Sequence, residues 1–188
     1  MFISKQRFFF VLVFVFLSCS PLRDAWASND TISTDGAVES VKIGDSAKKI
    51  FSTFEPRYQV GDATKPQCAR TVTLSRDKNT IATFSIDGDG RIFLIDIRGA
   101  FRTVENIGHG STLTEAINLY GGGSVAATDQ GYLVTFEKMK NISFLLSNDD
   151  IPNDLRNISD DVFTPDQEKR ILGLGKSRII AIQISHEY

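Results

Sequence analysis

Few side chains in this sequence could act as a nucleophile, a general base or a metal ligand. Its histidines are His109 and His186, and Cys68 is the only cysteine after residue 27. Thiol catalysis needs a base within hydrogen-bond reach, so Cys68 with His109 is the one Cys/His couple to consider. No catalytic motif surrounds either residue, and His186 lies close to the end of the chain. We therefore expect no catalytic residues and no enzymatic activity. Cys68 is expected to be a small, partly buried side chain or to form an intermolecular disulfide.

Acidic residues crowd one segment of the chain, and carboxylates are the ligands that hard cations such as calcium take. These residues are Asp149, Asp150, Asp154, Asp160, Asp161 and Asp166. Their spacing does not follow the alternating ligands of an EF-hand, and no Glu closes a loop of that length. Asp87-Gly88-Asp89-Gly90 begins like such a loop, but an apolar strand follows at once, which favours a hairpin turn. The sequence therefore predicts no metal site.

Two glycine-rich segments are the candidates for phosphate binding. Residues 108–111 (GHGS) and 121–124 (GGGS) both lack the GxxxxGK[ST] arrangement. The second segment follows a predicted helix, so its N–H groups do not lie at the positive end of a helix. We expect no cofactor.

The acidic segment also contains five large apolar side chains that a solvated loop would not need. They are Ile151, Leu155, Ile158, Val162 and Phe163. Two interpretations stay open. These side chains either pack the segment against the rest of the protein or form a surface for a partner. The second is our hypothesis for a functional surface.

The N-terminus has the three parts of a secretory signal peptide. Lys5 and Arg7 are basic, residues 8–17 (FFFVLVFVFL) are apolar, and Ala25-Trp26-Ala27 has the small-x-small pattern that signal peptidase recognises. A membrane-spanning helix needs about 20 apolar residues, so this run is too short for an anchor. We predict a signal peptide over residues 1–27 and an exported protein, either periplasmic or secreted.

Residues 16–19 (FLSC) offer a second processing route. They resemble the lipobox of bacterial lipoproteins, in which a cysteine becomes the lipidated first residue, and that residue would be Cys19. Cleavage after Ala27 gives a soluble protein, whereas processing at Cys19 gives an outer-membrane lipoprotein. The sequence leaves both routes open, and contact with a membrane is expected only in the second case.

Export changes the charge of the chain. The full sequence has 21 basic and 23 acidic side chains and a net charge of −2. Residues 1–27 contain three of the basic residues and one of the acidic ones, which leaves 18 and 22 and a net charge of −4. No basic run is present. The electrostatic signature of a nucleic-acid-binding protein is missing, so no nucleic-acid partner is expected.

The clearest pattern in the exported part is an internal duplication. Residues 44–54 (GDSAKKIFSTF) and 110–120 (GSTLTEAINLY) both place a glycine and polar N-cap residues before apolar residues at helical spacing. Further on, residues 90–97 (GRIFLIDI) match residues 177–184 (SRIIAIQI), and both favour a strand. Arg91 and Arg178 are equivalent here, and we expect them to hold equivalent turns.

Short strands are predicted between each helix and its closing strand. They cover residues 71–75, 80–86, 124–128, 132–137 and 142–146. The predicted fold class is α+β, with two tandem repeats that each consist of a short helix followed by an antiparallel meander of three to four strands.

The duplication also divides the chain into segments. After the signal peptide we predict a flexible leader over residues 28–40, a first repeat over 41–104, and a second repeat over 105–188 with an insertion at 147–176. Inside the insertion, Thr164 as N-cap, Pro165 at the first helical position and Gln167 predict a short helix that ends at Gly173.

The helix openings IGDSAKKIFSTF (residues 43–54) and GHGSTLTEAINLYG (residues 108–121) carry a resemblance to known families. The pattern resembles the tandem units of β-lactamase-inhibitor-like proteins and the SmpA/OmlA (BamE-type) family of small envelope lipoproteins. The Gly-Pro that follows the helix in those families is absent here, as is the cysteine framework of the inhibitor-like proteins. The resemblance implies an architecture, and no activity or functional residue is carried over.

Three functions remain in competition. The first, which we favour, is a non-catalytic protein-binding or structural module of the cell envelope, with another envelope or extracellular protein as its partner. The second is a small-ligand binder or hydrolase that uses a cleft between the repeats, near His109, Arg91 and Arg178. The third is a secreted inhibitor or effector.

Overall fold

The computed structural model describes residues 30–63, 70–139, 141–156 and 163–186. These residues form ten strands, four α-helices and one 3₁₀ turn. In chain order the elements are β1 (Thr31–Ile32), α1 (Ala47–Phe54), β2 (Gln59–Ala63), β3 (Arg70–Arg76), β4 (Asn79–Ile86), β5 (Ile92–Ile97), β6 (Arg102–Thr103), α2 (Leu113–Tyr120), β7 (Gly123–Thr128), β8 (Gly131–Phe136), β9 (Ile142–Leu146), the 3₁₀ turn (Asn148–Asp150), α3 (Asn153–Arg156), α4 (Pro165–Leu172) and β10 (Ile179–Ser185).

Eight of these strands form one antiparallel sheet in the order β2-β3-β4-β5-β10-β9-β8-β7. The run from β2 to β5 and the run from β7 to β10 meet at a central β5–β10 ladder, in which Ile97 pairs with Ile182 and Ile95 with Ile184. β1 and β6 form a separate parallel pair. The prediction of helices combined with antiparallel strands is confirmed at this level: the fold is mixed, with a large antiparallel sheet.

Alternation of side chains along the strands decides which face of the sheet is buried. In β3, Val72 and Leu74 are fully buried, whereas Thr71 and Thr73, which alternate with them, are half-buried. One face of the sheet carries the aliphatic and aromatic core. The other carries many small polar side chains, together with Leu94, Leu133 and Leu145.

Helices α1 and α2 contribute aromatic rings to the core on the apolar face. The Phe54 ring at the end of α1 lies 5.8 Å from the ring of Phe84 in β4. The Tyr120 ring at the end of α2 lies 6.0 Å from that of Phe144 in β9. Burial of such rings is among the largest stabilising contributions that single side chains make, and it fixes each helix against the sheet.

The helix ends agree with the sequence patterns, with one difference. Thr112 caps α2 through its hydroxyl, which accepts a hydrogen bond from the Glu115 amide at 3.3 Å, and the Glu115 carboxylate accepts one from the Thr112 amide at 2.6 Å. Gly121, with φ of +89°, ends α2. Ser46 occupies the N-cap of α1 but makes no side-chain capping bond.

In the insertion, α4 begins at Pro165 after the Thr164 cap, with Gln167 completing the capping box, as predicted. Strand β2 was not among the predicted strands. Its sequence, QVGDA, has little strand propensity, and pairing with β3 over all five residues is what makes it a strand.

Residues 30–40 differ from the flexible leader expected for residues 28–40. The segment contains β1, and the side chains of Ile32 and Val38 are fully buried in the core. Asp30 is buried as well. The residues of this segment are small and polar on average. The apolar side chains of Ile32 and Val38 and the paired carboxylate of Asp30 are nevertheless enough to fix its eleven residues against the domain.

Candidate functional site

Three of the residues predicted as a partner surface are buried. Ile151 and Leu155 are each 1% exposed and Phe163 is 7% exposed. The Phe163 ring lies 5.4 Å from the ring of Tyr132 in β8, and the Tyr132 hydroxyl donates a hydrogen bond to the Leu155 carbonyl. The partner-surface prediction is wrong for these three, because they cover an apolar part of the sheet instead. Ile158 and Val162 lie outside the described residues.

The insertion also closes one edge of the sheet. Its helix α4 packs beside the edge strand β7, with Ile171 fully buried. The Glu168 carboxylate accepts a hydrogen bond from the Val125 amide at 3.3 Å. Asp150 accepts one from the Arg178 amide at 3.0 Å. Since an uncovered edge strand exposes unpaired amides to other chains, this segment has a protective structural role.

Arg91 and Arg178 hold equivalent turns, as predicted. The Arg91 guanidinium donates a hydrogen bond to the Gly44 carbonyl at 3.0 Å, and Arg178 donates one to the Gly110 carbonyl at 3.1 Å. Both glycines have φ near +85°, a conformation that suits glycine. The two arginines therefore have a structural explanation at helix entrances.

The reactive side chains are not gathered into a site within the described ranges. His109 is exposed, and its carbonyl, not its ring, accepts a hydrogen bond from Arg102 at 3.3 Å. Among the described residues, no group of three or more His, Cys, Asp or Glu could hold a metal ion. Cys68 and the lipidation candidate Cys19 lie outside the described residues, as do residues 1–27, where the signal peptide is predicted.

Among the described residues, aliphatic side chains fill the core side of the ladder that joins the two halves of the sheet. The facing side chains of β5 and β10 that point to the core are each at most 1% exposed. They are Ile95, Ile97, Ile182 and Ile184. This packing lies on the core side of the ladder, and a ligand site between the halves, near His109, Arg91 and Arg178, stays a prediction.

The feature that sequence reasoning missed is the face of the sheet opposite α1 and α2, called here the open face. A row of directly paired residues crosses it from one edge strand to the other. From β2 to β7 these residues are Gly61, Thr73, Thr83, Asp96, Gln183, Ser143, Thr135 and Ser124. No apolar side chain interrupts the row. Neighbouring strands lie about 4.8 Å apart, so from Thr73 to Ser124 the row presents a polar side chain on each strand.

Charge on this row is neutralised. Its single charged member, Asp96, accepts two hydrogen bonds from the Arg98 guanidinium, at 3.1 and 3.2 Å. This bond with Asp96 raises the pKa of Arg98, which stays cationic. Arg98 also donates to the side-chain oxygen of Gln130 at 2.9 Å, reaching across β10 and β9 toward the β7–β8 turn. The row is therefore polar and has no net charge.

Two adjoining depressions mark one half of the open face and together form what we call the groove. The first has a volume of 240 Å³ and is lined by Ser143, Ser185 and His186 among others. The second has a volume of 380 Å³ and includes Ser124 in its lining. Thr135 lines both, and its hydroxyl lies 2.8 Å from that of Ser124. The groove thus runs across β7, β8, β9 and the end of β10.

A cluster of paired charges lies away from the open face, at the start of the described chain. The Tyr58 hydroxyl donates to the Asp30 carboxylate, and Arg57 and Arg76 approach that carboxylate at 3.7 and 3.4 Å. Burial, and then the hydrogen bond to Asp30, raise the pKa of Tyr58 above its ordinary range. Arg57 also pairs with Glu39. The carboxylates of Asp30 and Glu39 balance the guanidinium groups of the two arginines. We therefore interpret this cluster as a structural one that fixes the start of the described chain.

No helix in the described part of the chain is long and apolar enough to cross a membrane.

Comparison with solved structures gives a likeness of fold. The chain is similar to the crystal structure of the uncharacterized protein yfeY from Escherichia coli, with a TM-score of 0.56 and 14% sequence identity. The match covers 83% of this chain and 99% of that one. No protein-family model matches the chain, and no curated protein matches it. At this identity the likeness concerns the fold alone, and the resemblance to the inhibitor-like and BamE-type families stays a prediction.

Proposed function

We propose that this chain is an exported, non-catalytic binding module of the cell envelope whose working surface is the open face. The observation that carries the proposal is the row of polar side chains that crosses seven adjacent strands, from Thr73 in β3 to Ser124 in β7, with Gly61 at its β2 end. The residues of the row are half-buried or exposed, so a ligand can reach them. A row of accessible polar side chains favours a binding role for the face.

We also propose that the module is a duplicated helix-plus-meander unit, as in the families that its sequence resembles. Matching backbone bonds support this. The Gly44 amide donates to the Ile92 carbonyl at 2.7 Å, and the Gly110 amide donates to the Ile179 carbonyl at 2.8 Å. The helix starts also match, since Ser46 bridges to Arg91 and Thr112 to Arg178. Two halves with the same internal contacts would present one continuous face to a partner.

Our proposal that the protein is exported rests on the signal peptide predicted for residues 1–27. Cleavage after Ala27 would leave two residues before the buried Asp30, whereas lipidation at Cys19 would leave a ten-residue tether, residues 20–29. In both cases the partner is another component of the envelope or the extracellular space. Intact mass of the processed protein distinguishes the two routes.

Photo-crosslinking in intact cells tests the proposal. A photoreactive amino acid at Gln183, in the middle of the open face, is expected to give a discrete crosslinked adduct. The same group at Ser52, an exposed position on α1, is the matched control and is expected to give none. Adducts at Ser52 but not at Gln183 would refute the assignment of the working surface.

A further inference from the structure

The groove crosses four adjacent strands and offers hydroxyl groups throughout. Ser124, Thr135, Ser143 and Ser185 supply one hydroxyl each from β7, β8, β9 and β10. Each hydroxyl can donate one hydrogen bond and accept others. Ser124, Thr135 and Ser143 are directly paired across β7, β8 and β9, and Ser185 lies two residues beyond Gln183, the β10 partner of Ser143. The Ser124 and Thr135 hydroxyls lie 2.8 Å apart, and a ligand lying across the strands meets polar side chains from each strand in turn. An extended chain of repeating units, aligned perpendicular to the strands, fits this arrangement.

The glycines at one side of the groove add an independent observation. A Cβ on Gly123 would lie 2.5 Å from the Thr135 carbonyl oxygen, so close packing requires that glycine. A Cβ on Gly122 would meet no atom within 4 Å, and its φ lies outside the left-handed region. Neither close packing nor a left-handed φ requires glycine at position 122, which leaves bare backbone beside the groove. Bare backbone of this kind allows a ligand to approach closely.

The charged and apolar residues that line the groove narrow the choice of ligand class further. Among the described residues that line it, Glu137 and His186 are the only ones that can carry charge, and none of these described residues is Lys or Arg. A nucleic acid would need basic contacts to its phosphates. A protein partner would need exposed aromatic, Met or Arg anchors. Here Phe136 and Met139 are 3% and 1% exposed and belong to the core.

We infer that the groove binds a neutral, hydroxyl-rich glycan chain that lies across β7 to β10. Ring hydroxyls of successive sugars pair with Ser124, Thr135, Ser143 and Ser185, and the bare backbone at Gly122 lets a ring approach. This inference names the ligand class of the surface assigned under the proposed function, and it rests on that proposal.

Titration of the isotope-labelled, processed protein with the β-1,4-linked tetrasaccharide of N-acetylglucosamine tests the inference by NMR. We expect saturable shifts at the amides of residues 122–124, 135, 143 and 185. Thr135→Val removes one hydroxyl at nearly constant volume and is expected to weaken binding about tenfold, the value of one hydrogen bond. Gly122→Leu fills the approach and should weaken it at least as much. Thr53→Val, on α1, is the matched control and should bind as the wild type does.

Retention of the spectral dispersion shows that each variant folds, so a loss of binding reports on the groove. Pull-down with peptidoglycan sacculi and with lipopolysaccharide then distinguishes two envelope sources of glycan. The inference is overturned if the tetrasaccharide causes no saturable shifts at about 10 mM, ten times a Kd of 1 mM. It is equally overturned if Thr135→Val and Gly122→Leu bind as the wild type does. If glycan binding fails while crosslinks at Gln183 persist, only this inference falls; if both fail, the proposed function falls too.

Discussion

Asp62 and Arg70 form an ion pair at one edge of the sheet, with Nε of Arg70 2.9 Å from a carboxylate oxygen of Asp62. The opposite edge has Val125 and Tyr132 in the corresponding places. The correspondence follows from register: Asp62 pairs with Val72 and then Phe84, while Val125 pairs with Val134 and then Phe144. The insertion covers Val125 and Tyr132. At the edge formed by β2, the solvent-exposed ion pair of Asp62 and Arg70 has the position that the covered apolar residues have at the β7 edge.

The two edges therefore avoid self-association by different means, which gives a first prediction. Replacing the pair with the residues of the other edge, Asp62→Val with Arg70→Tyr, creates an apolar edge without a cover. We expect this variant to self-associate more strongly than the wild type, because uncovered apolar edge strands pair with other chains. Sedimentation velocity over a concentration series measures this. The charge-swapped variant, Asp62→Arg with Arg70→Asp, is the control and should behave as the wild type does.

A second prediction concerns the anchor of the insertion. Tyr132→Phe removes the hydroxyl that donates to the buried Leu155 carbonyl. Loss of one such bond should lower the free energy of unfolding by about 1 kcal/mol. It should also speed hydrogen exchange in residues 148–156 and 163–175, with no change in α1. Uniform acceleration throughout the protein would contradict a local anchoring role.

The start of the chain gives a third prediction. Asp30→Asn removes the carboxylate that Tyr58, Arg57 and Arg76 approach. Because hydrogen bonds to charged groups contribute about 1.5–3 kcal/mol, we expect a loss of about 2 kcal/mol in the free energy of unfolding by urea. Asp35→Asn, at an exposed acid of the same segment, is expected to change it by less than about 0.5 kcal/mol. Equal effects of the two substitutions would show that the leader is held only loosely.

Tyrosine ionisation gives a fourth prediction, at alkaline pH. Burial raises the pKa of Tyr120 from 10.0 to about 12, and burial also raises that of Tyr58. Below pH 10 both states keep these protons. Between pH 10 and about 12 the unfolded chain releases the Tyr120 proton while the folded protein retains it, so the free energy of unfolding falls as pH rises. Urea unfolding at several pH values should show this fall.

The double variant Tyr58→Phe with Tyr120→Phe removes both groups, and its stability should depend less on pH in this range. Parallel profiles for the variant and the wild type would mean that other groups cause the alkaline loss.

Local patterns in the sequence were sufficient for the helices and for most strands of the sheet. Examples are the strict alternation in residues 71–75, the mostly apolar residues 142–146, and capping residues such as Thr112 and Thr164. These signals act over a few residues and can be recognised without knowledge of the fold. Strand β2 and the packed leader depend on partners far along the chain, so local propensity did not indicate them. Phe163 shows the same limit, since its apolar character did not reveal whether it faces a partner or Tyr132.

The open face was missed for a related reason. Thr73, Thr83 and Ser143 each look like ordinary outward residues of an alternating strand. Only the register, set by turns and by the β5–β10 ladder, aligns them into one row. The signal was present as Ser, Thr or Gln at alternate positions in most strands of the sheet, but its meaning depended on strand order.

The central position of β10 bears on how the protein folds. β5 lies inside the sheet, yet one of its two neighbours is β10, and about 80 residues of chain separate them. Until β10 has been synthesised, β5 and β9 each present a long, aliphatic edge with unpaired amides. Contacts of such large sequence separation form slowly, and their late closure leaves aggregation-prone edges exposed. We therefore expect a nascent chain of this protein to expose aggregation-prone edges until residue 185 has emerged, and the two halves of the sheet to join late in folding.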